Sequence, residues 1–201
     1  MRYFHKGVRR LCAIVIGLVF FLAGLLKLQD PVGAGLVVKE YFNFFHLSFL
    51  SGASVYVAVA LALLETLCGA ALIAGVRRAF TASLTVILIA FFTVVTILLV
   101  VFQPDMDCGC FGEAIHLSHE QTLTKNLVLC FLAMIAFLPA RDFGQPRSSR
   151  KGLAFALVAL AVVLFTVHAL LFLPYVDYTD YAAGAELRSS YDGSLYSGIY
   201  H

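Results

Sequence analysis

Five stretches of this chain are apolar for long enough to cross a lipid bilayer, and nothing else in it restricts the fold so severely. They run from Leu11 to about Leu28, Val55 to Val76, Phe80 to Phe102, Leu123 to Ala140 and Leu153 to Leu173. A hydrocarbon core about 30 Å thick is crossed by about 20 helical residues at about 1.5 Å each. No water is present there to pair with backbone groups, so each run is expected to be a helix. Composition agrees with this. Of 201 residues, 61% are apolar and 13% charged, about half the charged share of soluble domains and too little for a polar skin. A soluble enzyme, a nucleic-acid binder and a disordered chain are set aside on that ground. The net charge of +2 gives no strong attraction for a polyanion. The expected class is an all-α membrane protein, with the lipid bilayer as its main partner.

Basic residues give the expected orientation. Of the 14 Lys and Arg, Arg2, Lys6, Arg9 and Arg10 precede the first run. Arg77 and Arg78 separate the second and third runs. Arg141, Arg147, Arg150 and Lys151 separate the fourth and fifth. Only Lys27, Lys39, Lys125 and Arg188 fall on the other side. The excess of Lys and Arg on one side puts the N-terminus in the cytoplasm and, after five crossings, the C-terminus outside. Gly7 to Ala23 has the length of a signal-peptide core, but no small-residue cleavage site closes it cleanly. The expected organisation is a bundle over residues 1–140, a basic cytoplasmic loop over 141–152, a fifth helix over 153–173 and a Tyr-rich extracytoplasmic tail over 174–201.

Two outer segments carry information of their own. Between the first two runs, Lys39, Asn43 and His46 recur at helical spacing among Val37, Val38, Tyr41, Phe42, Phe44 and Phe45. This pattern suits an amphipathic helix in the outer interface, or a packed or re-entrant loop. Between the third and fourth runs lies Gln103-Pro-Asp-Met-Asp-Cys-Gly-Cys-Phe-Gly-Glu113. Cys108 and Cys110 are separated by one residue, so their Cα atoms are always near disulfide range. Gly109 and Gly112 permit backbone angles that other residues resist. A bridge closed over one residue is strained, and strained, exposed bridges are oxidising and labile. On the outer side the compartment is itself oxidising. The pair therefore reads as a redox dithiol, with a static brace as the alternative. His116 and His119 add a third reading, a Cys-x-Cys…His-x-x-His metal site. Asp105, Asp107 and Glu113 beside the pair oppose thiolate formation.

Glu65 lies about ten residues into the second run, near mid-bilayer, where a charge costs about 2.5–3.5 kcal/mol. With no basic residue placed at matching depth, it is expected to be neutral and hydrogen-bonded. Its role is either a proton-handling or cofactor-contacting carboxyl, or a structural anchor. Lys27 is expected to snorkel to the outer surface. Gly69 and Gly75 allow close helix contact. Cys12, Cys68 and Cys130 read as small buried hydrophobes, with Cys130 the best exception because it shares a face with Asn126.

No Cys-x-x-Cys, phosphate loop, His-Glu-x-x-His or haem-attachment motif is present. An ordered set is present instead: Ala23-Gly24-Leu25, Lys27-Leu28 and Asp30-Pro31; then Glu65, Gly69 and Gly75; then Cys108-Gly-Cys-Phe-Gly112; then Lys125-Asn126. With these residues, over about residues 10–140, the chain resembles the DoxX/MauE superfamily of small bacterial membrane proteins, closest to its redox-associated, MauE-like branch. The resemblance implies a four-helix transmembrane bundle similar to that of vitamin K epoxide reductase, here followed by a fifth helix. It implies the bacterial inner membrane, with the Cys-Gly-Cys loop on the extracytoplasmic side. It also implies support for disulfide formation in an exported partner, as in maturation of methylamine dehydrogenase, with a periplasmic thioredoxin-like or dehydrogenase partner. Cys108 and Cys110 take the family's cysteine positions and Glu65 its helix-two glutamate. Lys27, Asn126, Gly109 and Gly112 are expected to support them. A quinone is a candidate electron acceptor, though no sequence feature marks a site for one. The alternatives are a non-enzymatic scaffold or maturation factor, and a subunit of a quinone-linked oxidoreductase.

Overall fold

The computed structural model describes residues 2–76, 78–104, 108–113, 117–138 and 149–171. They form α1 (Arg2–Gln29), α2 (Pro31–Phe44), a 3-10 turn (Ser48–Ala53), α3 (Ser54–Ala74), α4 (Arg78–Phe102), a short extended segment β1 (Cys110–Glu113), α5 (His119–Phe137) and α6 (Ser149–Leu171). Five segments are long and apolar enough to cross a membrane: Gly7–Gln29, Ser48–Ala74, Ala79–Phe102, His119–Phe137 and Arg150–Leu171. The protein is thus a multi-pass helical membrane protein by length and composition. The expected tail, 174–201, and His116 lie outside the described residues.

The long helices pack in a ring. α1 lies against α3 and α5, and α4 lies against α5 and α3, while α6 sits outside against α3 and α1. The ring interior holds Cys12, Ile16 and Phe20 of α1, Cys68 and Leu72 of α3, Leu88 and Ile89 of α4, and Leu129, Ala133 and Ala136 of α5. On α6, Leu153, Leu157, Leu160, Leu164 and Leu171 are exposed, an outward stripe suited to lipid rather than water.

Glycine sets the closest approach in the ring. A Cβ on Gly17 would lie 2.9 Å from the Gly69 carbonyl oxygen, and one on Gly69 would lie 2.5 Å from that of Gly17. One on Gly24 would overlap the Thr66 hydroxyl and come within 2.6 Å of the Ala62 oxygen. Small residues therefore let the α1 and α3 backbones touch, the usual solution where lipid offers no hydrophobic drive between helices. Gly75 plays a different part from the close contact expected of it. It sits at φ +72°, ending α3 in a left-handed cap whose N–H bonds the Ala71 carbonyl, a conformation glycine adopts without penalty.

The basic start of α1 does more than mark a side of the membrane. Arg10 donates from Nη1 to the Leu72 carbonyl at 2.8 Å and from Nη2 to the Ile73 carbonyl. Arg9 donates from Nε to the Ala136 carbonyl at 3.2 Å. Adjacent arginines thus satisfy terminal carbonyls of α3 and α5, where the helix dipole favours positive charge. At the opposite end α5 begins with a full capping box, Ser118 with Gln121, which starts the helix four residues before the apolar run at Leu123.

The segment expected as an interfacial amphipathic helix is α2, and it packs differently. Asp30 caps it by accepting from the Gly33 N–H at 2.8 Å, and Pro31 occupies its first turn. Pro31, Gly33, Ala34, Gly35 and Val37 are buried, so the small-residue face is pressed on α3. Val32 and Leu36 are exposed near its start and Lys39, Glu40 and Asn43 near its end. Filling the α1–α3 seam is the direct test of this architecture. Gly24→Leu is expected to lower stability by about 1–3 kcal/mol through overpacking, read as a lower melting midpoint in detergent, whereas Gly7→Leu, with open space around it, leaves the midpoint unchanged.

Candidate functional site

The α1–α3 seam delivers two opposite charges to each other. Lys27, one turn past Gly24 on α1, places Nζ 2.9 Å from both Oε1 and Oε2 of Glu65 on α3. The side chains are 12% and 4% exposed. Lys27 Nζ also lies 5.5 Å from the Phe92 ring centroid on α4, which adds a cation–π contact. Two sequence expectations are overturned by this geometry. Lys27 does not snorkel outward, and Glu65 has a basic partner after all. Depth counted along each helix separately took no account of the reach of the lysine stem, which runs inward along the glycine seam to Glu65.

The ion pair forms part of the wall of a narrow, partly open cavity of about 30 Å³. Its apolar lining includes Phe20, Ile89, Phe92 and Leu129, and its polar lining is Lys27, Glu65, Cys110, Lys125 and Asn126. Asn126 is buried and donates from Nδ2 to the Thr96 hydroxyl at 3.0 Å. Thr96 in turn donates to the Phe92 carbonyl at 2.7 Å, so both groups are fixed. Lys125 Nζ stands 5.0 Å from the Phe111 ring centroid. The loop thus lies over the cavity with one cysteine on the wall.

The two loop cysteines occupy different surroundings. Cys110 lines the cavity, whereas Cys108 is 5% exposed and does not. Tyr41 on α2 donates from its hydroxyl to the Cys108 carbonyl at 2.7 Å. Gly109, at φ +56°, presses on Val37, where any Cβ would overlap the valine side chain. Gly112, at φ +65°, rests on the Lys27 stem, with Cγ 3.5 Å from where a Cβ would lie. Both glycines are therefore required, Gly109 by space as well as by backbone conformation. Burial pushes the Tyr41 phenol above its ordinary pKa, with Cys110, Cys108 and Glu40 adding to the effect in that order. Tyr41 consequently stays a hydrogen-bond donor across ordinary pH. No disulfide joins the cysteines of the chain.

The remaining candidates are dispersed. Cys68 lies 3.1 Å from the Thr85 hydroxyl and Cys130 lies 3.6 Å from the Thr93 hydroxyl, while Cys12 belongs to the apolar core. His119 opens α5 with Nε2 buried and without a hydrogen-bond partner among the described residues. No group of three metal-ligating side chains occurs among the described residues. Asp105, Asp107 and His116 lie outside them. Sequence reasoning missed Tyr41 and the place of Lys125 on the cavity wall. A usable signal did exist for the ion pair, since Lys27 and Glu65 are opposite charges at the edge of and within apolar runs, and charge balance alone could have joined them.

A family model described as methylamine utilisation protein MauE matches residues 6–139. No curated protein and no solved structure matches the chain.

Removing one charge of a buried pair strands the other, at a cost of about 3–5 kcal/mol. Lys27→Met and Glu65→Gln are each expected to destabilise strongly. The double variant is expected to recover much of the loss, measured as non-additive melting or denaturant midpoints in detergent.

Proposed function

The chain belongs to the MauE family of methylamine utilisation proteins, and from that premise we propose that it supports thiol–disulfide exchange with an exported partner through Cys110 and Cys108. The observation that carries the reading is the inequality of the two thiols: Cys110 lines the cavity beside Lys27, Glu65 and Lys125, while Cys108 is buried behind it. Thiol–disulfide exchange requires one thiol open to a partner and a second to resolve the mixed disulfide.

The chemistry balances as an exchange. With Cys108 and Cys110 bridged, a partner thiolate attacks Cys110 Sγ, the Cys108–Cys110 bond breaks and Cys108 leaves as thiolate. A second partner thiolate then attacks the partner sulfur of the mixed disulfide, and Cys110 leaves in turn. The partner is oxidised by two electrons, the pair is reduced by two, and the partner's two protons end on Cys108 and Cys110. Reoxidation passes two electrons to an acceptor, for which the classes are a quinone or a thioredoxin-like disulfide. Phe20, Phe92 and Leu129, with Lys27 and Asn126 as polar groups, are the residues that would hold a quinone ring, but the cavity of about 30 Å³ between them is too narrow to take one unless they move apart. Glu65 serves in this reading to hold Lys27 in place within apolar surroundings. The membrane is the bacterial inner membrane, with Arg9 and Arg10 toward the cytoplasm and the loop outside, supported by the excess of Lys and Arg at the arginine end. The redox-associated DoxX proteins are the wider group to which this reading points.

Burial of Cys108 also favours a second reading, in which the loop is a brace and the protein holds its partner without exchanging electrons. Substitution separates the two. Under exchange, the bridged wild-type protein accumulates a mixed disulfide at Cys110 with a partner whose second thiol is replaced by serine, and Cys110→Ser forms none, as seen by acid trapping and mass spectrometry. Partner maturation that is unchanged in the Cys108→Ser/Cys110→Ser double variant would falsify the exchange reading.

A further inference from the structure

We infer that Tyr41 is a positioning residue for the loop: by holding the Cys108 carbonyl against α2 it keeps Cys108 withdrawn and leaves Cys110 on the cavity wall. This assignment of roles rests on the exchange reading, whereas the placement of the loop stands by itself. Three observations lead to it. The Tyr41 hydroxyl donates to the Cys108 carbonyl at 2.7 Å, across 67 residues of sequence. The next residue, Gly109, lies directly on Val37, one helical turn before Tyr41 on the same face of α2. Further along, Gly112 rests on the Lys27 stem of α1. The Cys108 side of the loop is therefore fastened to α2 and the far side to α1, with Cys110 between the two fastenings.

The two fastenings act on different thiols. Releasing the α2 fastening frees Cys108, while Cys110 keeps its surroundings, because Phe111 and Gly112 still hold to Lys125 and Lys27. A general loosening would free both. Burial first, and then Cys110, Cys108 and Glu40, raise the pKa of Tyr41, so its hydroxyl keeps its proton at ordinary pH. The donor is thus permanent rather than switched.

The test is the alkylation rate of each cysteine in the reduced full-length protein in detergent, using N-ethylmaleimide and peptide mass spectrometry. In the wild type, Cys110 is expected to react faster than Cys108. Tyr41→Phe keeps the ring but loses the donor, and a net hydrogen bond corresponds to about a fivefold change in equilibrium. The expected result is a rise of about that size in the Cys108 rate with the Cys110 rate unchanged. Val37→Ala retains the hydrogen bond while thinning the packing under Gly109, and is expected to raise the Cys108 rate less than Tyr41→Phe does. Asn43→Ala, exposed on α2, is expected to change neither. The proposal is overturned if Tyr41→Phe raises both rates together, if it raises neither, or if Val37→Ala matches it. Should Tyr41→Phe yield no folded protein, equal rates for Cys108 and Cys110 in the wild type overturn it. These rates need no partner, so loss of exchange in a partner assay with the rates as expected removes the exchange reading and leaves the positioning role of Tyr41 standing.

Discussion

A lysine and a carboxylate held 2.9 Å apart inside an apolar helix ring make the demand that the rest of this structure meets. Neither charge is tolerable alone in such surroundings, and together they are tolerable only if the backbones carrying them come close. Gly17, Gly24 and Gly69 provide that approach. The pair then gives the interior one polar locus around which Asn126, Thr96 and Lys125 collect, and the loop closes over it through Gly112. Packing, charge and loop placement are thus one linked arrangement.

The threonines of α4 show how the remaining polarity is contained. Thr85, Thr93 and Thr96 each donate to the carbonyl four residues earlier. Their oxygens then meet Cys68, Cys130 and Asn126 respectively. Each hydroxyl thereby satisfies itself within its own helix and still offers a contact across the ring. Cys68 and Cys130 are absorbed in this way.

How much of this could be read from the sequence depends on the range over which each feature acts. Helices were legible because apolar runs of membrane length have one solution in lipid; their bounds moved where caps intervened, at Ser118 for α5 and Gly75 for α3, and where polar residues extend a helix beyond its apolar run, as at the Arg2 start of α1. The cysteine loop was legible as a motif because its spacing is local. The pairing of Lys27 with Glu65 was not, because it depends on how α1 crosses α3. Counting depth from run boundaries placed each residue along its own helix and took no account of how far a lysine stem reaches across to the next one. Tyr41 was illegible for a similar reason: within α2 it looks like one aromatic among several, and only the return of the chain 67 residues later gives it a partner. The loop acids, plain in the sequence, suggested a negative setting for the thiols, while Lys27 and Lys125, from two distant helices, bring positive charge to the same cavity.

The arginines at the start of α1 bear on the order in which such a protein can be assembled. Arg10 finds its carbonyls 62 and 63 residues later and Arg9 finds its own 127 residues later. The first helix to leave the ribosome therefore carries groups whose partners include the ends of α3 and α5. Until α5 has been inserted, the α1 end of the ring is held by unfinished bonds, and its last contact is among the longest-range in the chain. Closure is then a late event in biosynthesis, and loss of the first ten residues would undo two distant helix ends as well as the helix to which they belong.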